Sequence, residues 1–456
     1  MNKKKLTKNS VLTVMLMISL MMVACGAKPV DKQKNTSLSW KIPNDIKTPE
    51  TINTETLQRA FDEFSWESFI ALNWPANKNG TPDKRQIIGQ KDTKAVWEHW
   101  LHTTDIFLPD GGTPVAWGGS INTADYCTNA VKTPDKIKFL RKGKKVSDFL
   151  ILATEPMDTG PLIDLNGQYV QYEINLNKNM YDYIKGHELY NVEGQQQFAA
   201  AKKTVNFDSG TNTSPDSPGK VGAIMVKAAW KVLGKNDDPS RFHTVKALIW
   251  SNPAEKGDGS CRVENVGLVG FHIAHKTESA PQWVWSTFEQ VDNAPETASL
   301  PCDGTYNFHN CSCANCPINK MAKQPWNPDK SGQTPTQVTR IVPITEATKQ
   351  LNTYYQNQLK QVNAHTPWQY YMLVSTQWPT KPGDPTSFQN PDPKGSPAPM
   401  VLSNTTLETF TQGVVPQIGT SCIDCHFSAT NSVGQWTDFT YTLGMASKKI
   451  KKEQKQ

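Results

Sequence analysis

The sequence predicts an α+β protein: a large, mostly antiparallel β-rich domain with flanking helices, followed by a small, mainly helical domain at its C-terminal end. Three observations predict it. Apolar residues recur at helical spacing before residue 102 and again over 345–361. Between about 148 and 288 the period changes, in runs rich in Val, Ile, Trp and Tyr, several of which alternate. Beyond 340 only one short strand is expected, among helices and a Pro-rich loop.

Taken in order, Met1 to Ala24 reads as a secretory signal, with Lys3, Lys4, Lys5 and Lys8 before the apolar stretch Val11 to Val23. That stretch is too short for a comfortable membrane span. Met22-Val23-Ala24-Cys25 resembles a bacterial lipobox, in which Cys25 is lipidated and becomes the first residue. Met22 is unusual there, so plain cleavage with a free cysteine is the alternative. Gly26 after the cysteine resembles lipoproteins passed on to the outer membrane. Residues 25–48 read as a tether, 49–335 as the α+β domain with a Cys-rich irregular segment at 302–316, and 340–456 as the small C-terminal domain with a Lys-rich tail.

In the large domain, Leu57, Phe61, Phe64, Phe69 and Leu72 predict a helix that Trp74-Pro75 stops, and a second helix is expected over Thr93 to His102. Strands are expected at Gln168 to Asn175, Gly222 to Leu233, Phe242 to Trp250, Val266 to His275 and Gln282 to Phe288. Ala347, Leu351, Tyr354 and Leu359 predict a helix over Thr345 to Gln361, and Tyr370 to Val374 a short strand. Trp378 to Pro399 holds seven prolines and reads as a loop; Thr405-x-x-Glu408 then suggests a capping box opening a helix to Gln412.

The chain of 456 residues carries a net charge of +6, but this misleads. Residues 1–24 contribute four positive charges and Lys448 to Gln456 a net four, which leaves about −2 for the rest. A nearly neutral body argues against a nucleic-acid surface. The nine cysteines divide by context. Setting aside Cys25 and two near the C-terminal end leaves Cys127, Cys261, Cys302, Cys311, Cys313 and Cys316, an even number that in an exported chain suggests up to three disulfides. Cys311, Cys313 and Cys316, with Cys302 and His309 nearby, also have spacings that zinc accepts.

The remaining pair lies in Cys422-Ile423-Asp424-Cys425-His426, a Cys-x-x-Cys-His run, which is the attachment signature of c-type haem. Cys422 and Cys425 can each add to one vinyl group of the porphyrin, and His426 supplies imidazole as the proximal iron ligand. One haem c is therefore the expected cofactor. A redox dithiol or half a zinc site is the plainer reading of the same five residues, and export weighs against it. The distal ligand is not given by the motif: Met445 and Met400 are candidates, with Met372 and His365 behind them. His243, His272 and Glu289, on neighbouring expected strands, are candidates to line a pocket with Trp283 or Trp285; His272 and His275 should point to opposite faces.

The motif makes the chain similar to monohaem c-type cytochromes. Phe64 to Pro75, Gly270 to Lys276, Trp283 to Glu289 and Thr376 to Pro379 further resemble a group of exported bacterial proteins identified as cytochrome c family members. The resemblance implies covalent haem at Cys422 and Cys425 with His426 on the iron, and no particular reaction. The expectation is a protein at the periplasmic face of the cell envelope, lipid-anchored to the membrane, passing single electrons to or from a redox partner protein or a small-molecule substrate. Two alternatives stand beside it: a haem enzyme or gas sensor with open iron, an oxidoreductase in the first case, and a binding lipoprotein in which haem is structural.

Overall fold

The computed structural model describes residues 38–119, 138–140, 160–212, 218–250, 261–382, 397–413 and 420–450. The expected signal, Cys25 and Cys127 lie outside the described residues. The helices are α1 (Thr54–Leu72), α2 (Thr103–Ile106), α3 (Lys178–Gly186), α4 (Val192–Ala200), α5 (Glu346–Val362) and α6 (Cys422–Phe427). The strands are β1 (Leu101–His102), β2 (Lys138–Phe139), β3 (Gln171–Leu176), β4 (Gly210–Thr211), β5 (Lys220–Val221), β6 (Ile224–Val232), β7 (Thr244–Trp250), β8 (Cys261–His275), β9 (Val284–Gln290), β10 (Tyr371–Pro379) and β11 (Pro397–Ala398).

One path through the main sheet runs β1-β3-β6-β8-β9-β10-β11, with β7 on the first half of the long β8 and β2 beside β7. Among the described residues every pairing in this sheet is antiparallel except β2 with β7. The α+β reading with a dominant antiparallel sheet therefore holds. β10, from the segment expected to form the small domain, pairs with β9 of the large one. Residues 38–456 form one compact unit, and Leu38, Trp40 and Ile42, within the expected tether, pack on the core.

Helix α1 starts where Asn53 accepts a hydrogen bond from the Thr56 N–H and Thr56 Oγ1 accepts one from the Asn53 N–H. Its apolar stripe, with that of α5, covers one face of the sheet: Trp66, Phe69, Tyr355 and Leu359 meet Phe271 from β8, Phe288 from β9 and Tyr371 and Leu373 from β10. Phe69 stacks on Phe288 with ring centres 4.3 Å apart, and Trp66 on Tyr355 at 5.0 Å. Burying each such ring contributes about 1.5–3 kcal/mol.

The opposite face of the sheet is covered by α3, α4 and the chain after residue 400. With both faces covered, β6, β9 and β10 are buried along nearly their whole length, not on alternate residues. A polar side chain in these strands is thus costly unless partnered, and its placement carries information.

Two expected elements differ. Thr93 to His102 forms a 3₁₀ turn at Val96–His99 followed by β1, because Leu101 and His102 pair with β3, and the His102 side chain caps α2. Residues 405–412 form successive turns, not a helix. There Asn404, one residue earlier than expected, gives its N–H to Glu408, while Thr405 is drawn to Glu289 of β9 by its N–H and hydroxyl.

Candidate functional site

Helix α6 is a little over one turn long and contains the whole Cys-x-x-Cys-His run. Ser421 caps it, its hydroxyl accepting from the Asp424 N–H at 3.2 Å. Gln377 of β10 grips the same end: its Oε1 accepts from the Ile423 N–H at 2.8 Å and from the Ser421 hydroxyl at 3.3 Å, while its Nε2 donates to the Pro399 carbonyl at 2.7 Å. Ile423 is fully buried with Leu443, Phe439 and Trp285. The helix is thereby fixed to the sheet through its first turn.

The Nδ1 of His426 lies 2.7 Å from the Phe439 carbonyl oxygen. A carbonyl can only accept, so Nδ1 carries the proton and Nε2 keeps the lone pair a metal takes. The ring rests on Trp285 of β9, centres 4.4 Å apart, with Tyr441 edge-on at 5.2 Å. Burial pushes the imidazole down to about 4, against the Phe439 bond, which favours the charged form. Neutral imidazole is the ligating form.

The carbonyl that orients His426 is itself held. Asp438 and Phe439 both have positive φ, 50° and 65°, unusual for residues with side chains. Asp438 secures them: buried, it pairs with Lys276 at 2.6 Å and accepts from the Phe207 N–H at 2.8 Å. Lys276 also donates to Asn206.

Cys422 and Cys425 are free thiols, each partly exposed. Burial, with Glu408 adding to it, pushes Cys422 well above the ordinary thiol value, and burial raises Cys425 too. A reactive redox dithiol is served by the opposite shift. The other described cysteines are spent: Cys302 joins Cys311, Cys313 joins Cys316, and Cys261 is disulfide-bonded. Among the described residues Cys302, His309 and Cys311 offer ligand atoms within 4.8 Å of one another, matching the zinc alternative, but the disulfide between the two cysteines leaves no thiolate there. His309 Nδ1 bonds the Val338 carbonyl.

Two free thiols separated by two residues, followed by an imidazole with Nε2 available, are the donor set of a c-type haem. Between α6 and the 402–409 turns, the sheet presents Lys227, His272 and Thr287, whose Cα positions pair across β6, β8 and β9. There Nε2 of His272 faces a Glu408 carboxylate oxygen at 3.3 Å, and Oγ1 of Thr287 is buried without a hydrogen bond.

Of the distal candidates, Met400 is 64% exposed, and Met445 packs against the apolar cluster that contains Ile423 and Leu443. Met372 packs beside Cys422 in a small cluster with Val374 and Leu402. His365 lines a separate cleft of about 450 Å³ together with His243. Of the expected grouping, His272 and Glu289 share one face of β8 and β9 with Trp285, while His243 lies apart. His243 approaches Glu98 at 3.2 Å and stacks on Trp368, whereas Glu289 is tied to Arg340 at 2.7 Å. His275 does face away from His272: it packs on Phe64 of α1. A larger cleft of about 610 Å³, lined by His99, Trp100, Asn179 and Asp208, also excludes the motif. The donor geometry at α6 outweighs cavity size, because those clefts carry no comparable convergence of ligating atoms.

The signal that sequence reading missed is Gln377, which no motif marks; a buried glutamine after Ser375 and Thr376 and next to Trp378 is the trace it leaves. Comparison with protein-family models, curated proteins and solved structures finds no match.

Proposed function

We propose that this chain is a c-type haem protein that passes single electrons, exported and held at the membrane through Cys25, with a redox protein or a small molecule as its partner. The observation that carries the reading is the hydrogen bond from His426 Nδ1 to the Phe439 carbonyl beside two free thiols. It leaves Nε2 neutral and available at the position where the motif requires it.

In this reading Cys422 and Cys425 would hold the group through thioether bonds, each S–H adding across one vinyl C=C with the hydrogen going to the neighbouring carbon, so that no oxidant would be consumed. Bound haem supplies a one-electron couple whose potential follows its axial ligands and the charge around it. His426 holds its proton at Nδ1 on the Phe439 carbonyl, which makes Nε2 a better donor. Trp285 keeps the ring from turning. Glu408, close enough to act on His426, favours the more positive ferric state, and Lys227 opposes it.

Spectroelectrochemical titration of protein matured in a host that attaches c-type haem tests this. The expected result is one reversible one-electron transition in the haem bands. Haem absorbance that cannot be cycled would contradict electron transfer.

A further inference from the structure

The cleft of about 610 Å³, which the motif does not line, is assembled around the start of α3. Antiparallel pairing of Leu101 with Leu176 brings Trp100 level with Asn177, the residue that caps this helix. Asn177 also donates to the Gly222 carbonyl at 2.9 Å, next to β5, and Asn179 donates to Asp208 at 3.1 Å. Further along α3, the Tyr181 hydroxyl donates to the Val115 carbonyl at 2.9 Å, and its ring meets Trp117 with centres 5.5 Å apart. One helix thus fixes all three walls. The volume falls within the range of about 300–1,000 Å³ that small-molecule sites occupy.

Trp100 and Trp117 line the cleft partly exposed, and among the described residues neither indole N–H has a hydrogen-bond partner. Each therefore offers an apolar ring beside one unused donor. The charged residues of the lining cancel in pairs: Lys178 bonds Asp182, and Lys220 bonds Asp208. Burial, with Lys94 adding to it, lowers the His99 imidazole, so it is neutral near pH 7. Because Asn179 gives its Nδ2 to Asp208, its Oδ1 remains as an acceptor, with no partner among the described residues. A ligand here meets unused donors, unused acceptors and ring surface, but no unpaired charge. Hydroxyl groups suit such a lining because each can both donate and accept. A sugar ring carries them around an apolar C–H face that stacks on indole, whereas a charged ligand would find its counter-charges already taken.

We propose that this cleft is a carbohydrate-binding site, taking a neutral glycan with its sugar rings on Trp100 and Trp117 and its hydroxyls on Asn179, His99 and the indole N–H groups. Asp208 is a positioning residue: held by Lys220, it keeps the Asn179 amide turned so that its oxygen is left for the ligand. The site needs no haem, so it stands or falls apart from the reading of α6.

The test is calorimetric titration of the full-length protein with cellotetraose, maltotetraose and chitotetraose, with a heparin tetrasaccharide and adenosine as charged and flat aromatic competitors. At least one of the three neutral chains should bind, with the same affinity at low and high salt because no ion pair is made. Trp117→Ala should weaken that binding about tenfold or more, the loss of one well-packed aromatic contact. Trp117→Phe, which keeps a ring, should recover part of it, and Asn179→Ala should weaken it by a smaller factor. The proposal is overturned if none of the three neutral chains binds, or if heparin tetrasaccharide or adenosine binds more tightly than all of them. Natural affinity in Trp117→Ala overturns it as well. Should that variant fail to fold, natural affinity in both Trp117→Phe and Asn179→Ala has the same force.

Discussion

Replacing Asp438 by Asn keeps the size of the side chain and removes its charge, leaving Lys276 buried beside Asn206 with no counter-ion. Both partners of this pair are essentially sealed from water, at 1% and 0% exposure. Burial outweighs Lys276 and holds the Asp438 carboxyl above its ordinary value, so the intact pair adds little net stability. Breaking it is another matter: an uncompensated buried charge costs about 3–5 kcal/mol. The same aspartate holds two consecutive residues at positive φ, each costing about 1–2 kcal/mol. Relaxation there would draw the Phe439 carbonyl away from His426, weaken imidazole donation and raise the potential. Urea unfolding followed by tryptophan fluorescence should place Asp438→Asn about 3–5 kcal/mol below the natural chain. Lys276→Met in the same chain should recover at least half of that loss, because the stranded charge is gone. A single variant within about 1 kcal/mol of the natural protein, or a double variant no better than the single, would refute the reasoning.

Asp62, buried in α1, has its carboxyl raised to about 6 by burial, against bonds from Thr348 and Gln58. Its folded pKa lies above its unfolded value of 3.8, so its contribution is fully present below that value and lost as pH rises through about 6. Two pKa units correspond to about 3 kcal/mol, and Asp62→Asn should flatten the stability profile between pH 4 and 6; an unchanged slope would contradict this. Gln377→Leu removes three hydrogen bonds at the start of α6 and should cost about 1–3 kcal/mol, with faster amide exchange at Ile423 as the local readout. Ser421→Ala, losing only the cap, should cost about 1 kcal/mol in the same assay. Removing the Cys302–Cys311 bridge, which closes a short loop, should lower stability by about 3 kcal/mol in non-reducing urea titrations.

The motif was legible because its chemistry is contiguous: two thiols and an imidazole need only one helical turn to converge. The strands β6 to β9 were legible from β-branched and aromatic runs, since local composition suits a buried sheet. Two helices inside the β-rich region were not expected, yet α3 carries Met180, Tyr181 and Ile184 at helical spacing behind an Asn177 cap, and α4 opens on an Asn191 cap. Longer-range features left no local trace. Nothing around Tyr371 announces that β10 joins β9, because that pairing is decided by packing against α1 and α5. Alternation separates His272 from His275, but which face meets Cys422 depends on where residues 402–450 return to the sheet.

The central claim is that Cys422 and Cys425 carry haem through covalent bonds. Intact mass spectrometry of denatured protein, from a host that attaches c-type haem, tests it most directly. The natural chain should be heavier than its polypeptide by the mass of one haem, and Cys422→Ala/Cys425→Ala should lose that increment entirely. A natural chain at bare polypeptide mass, or a double variant that retains the added mass, would contradict the account.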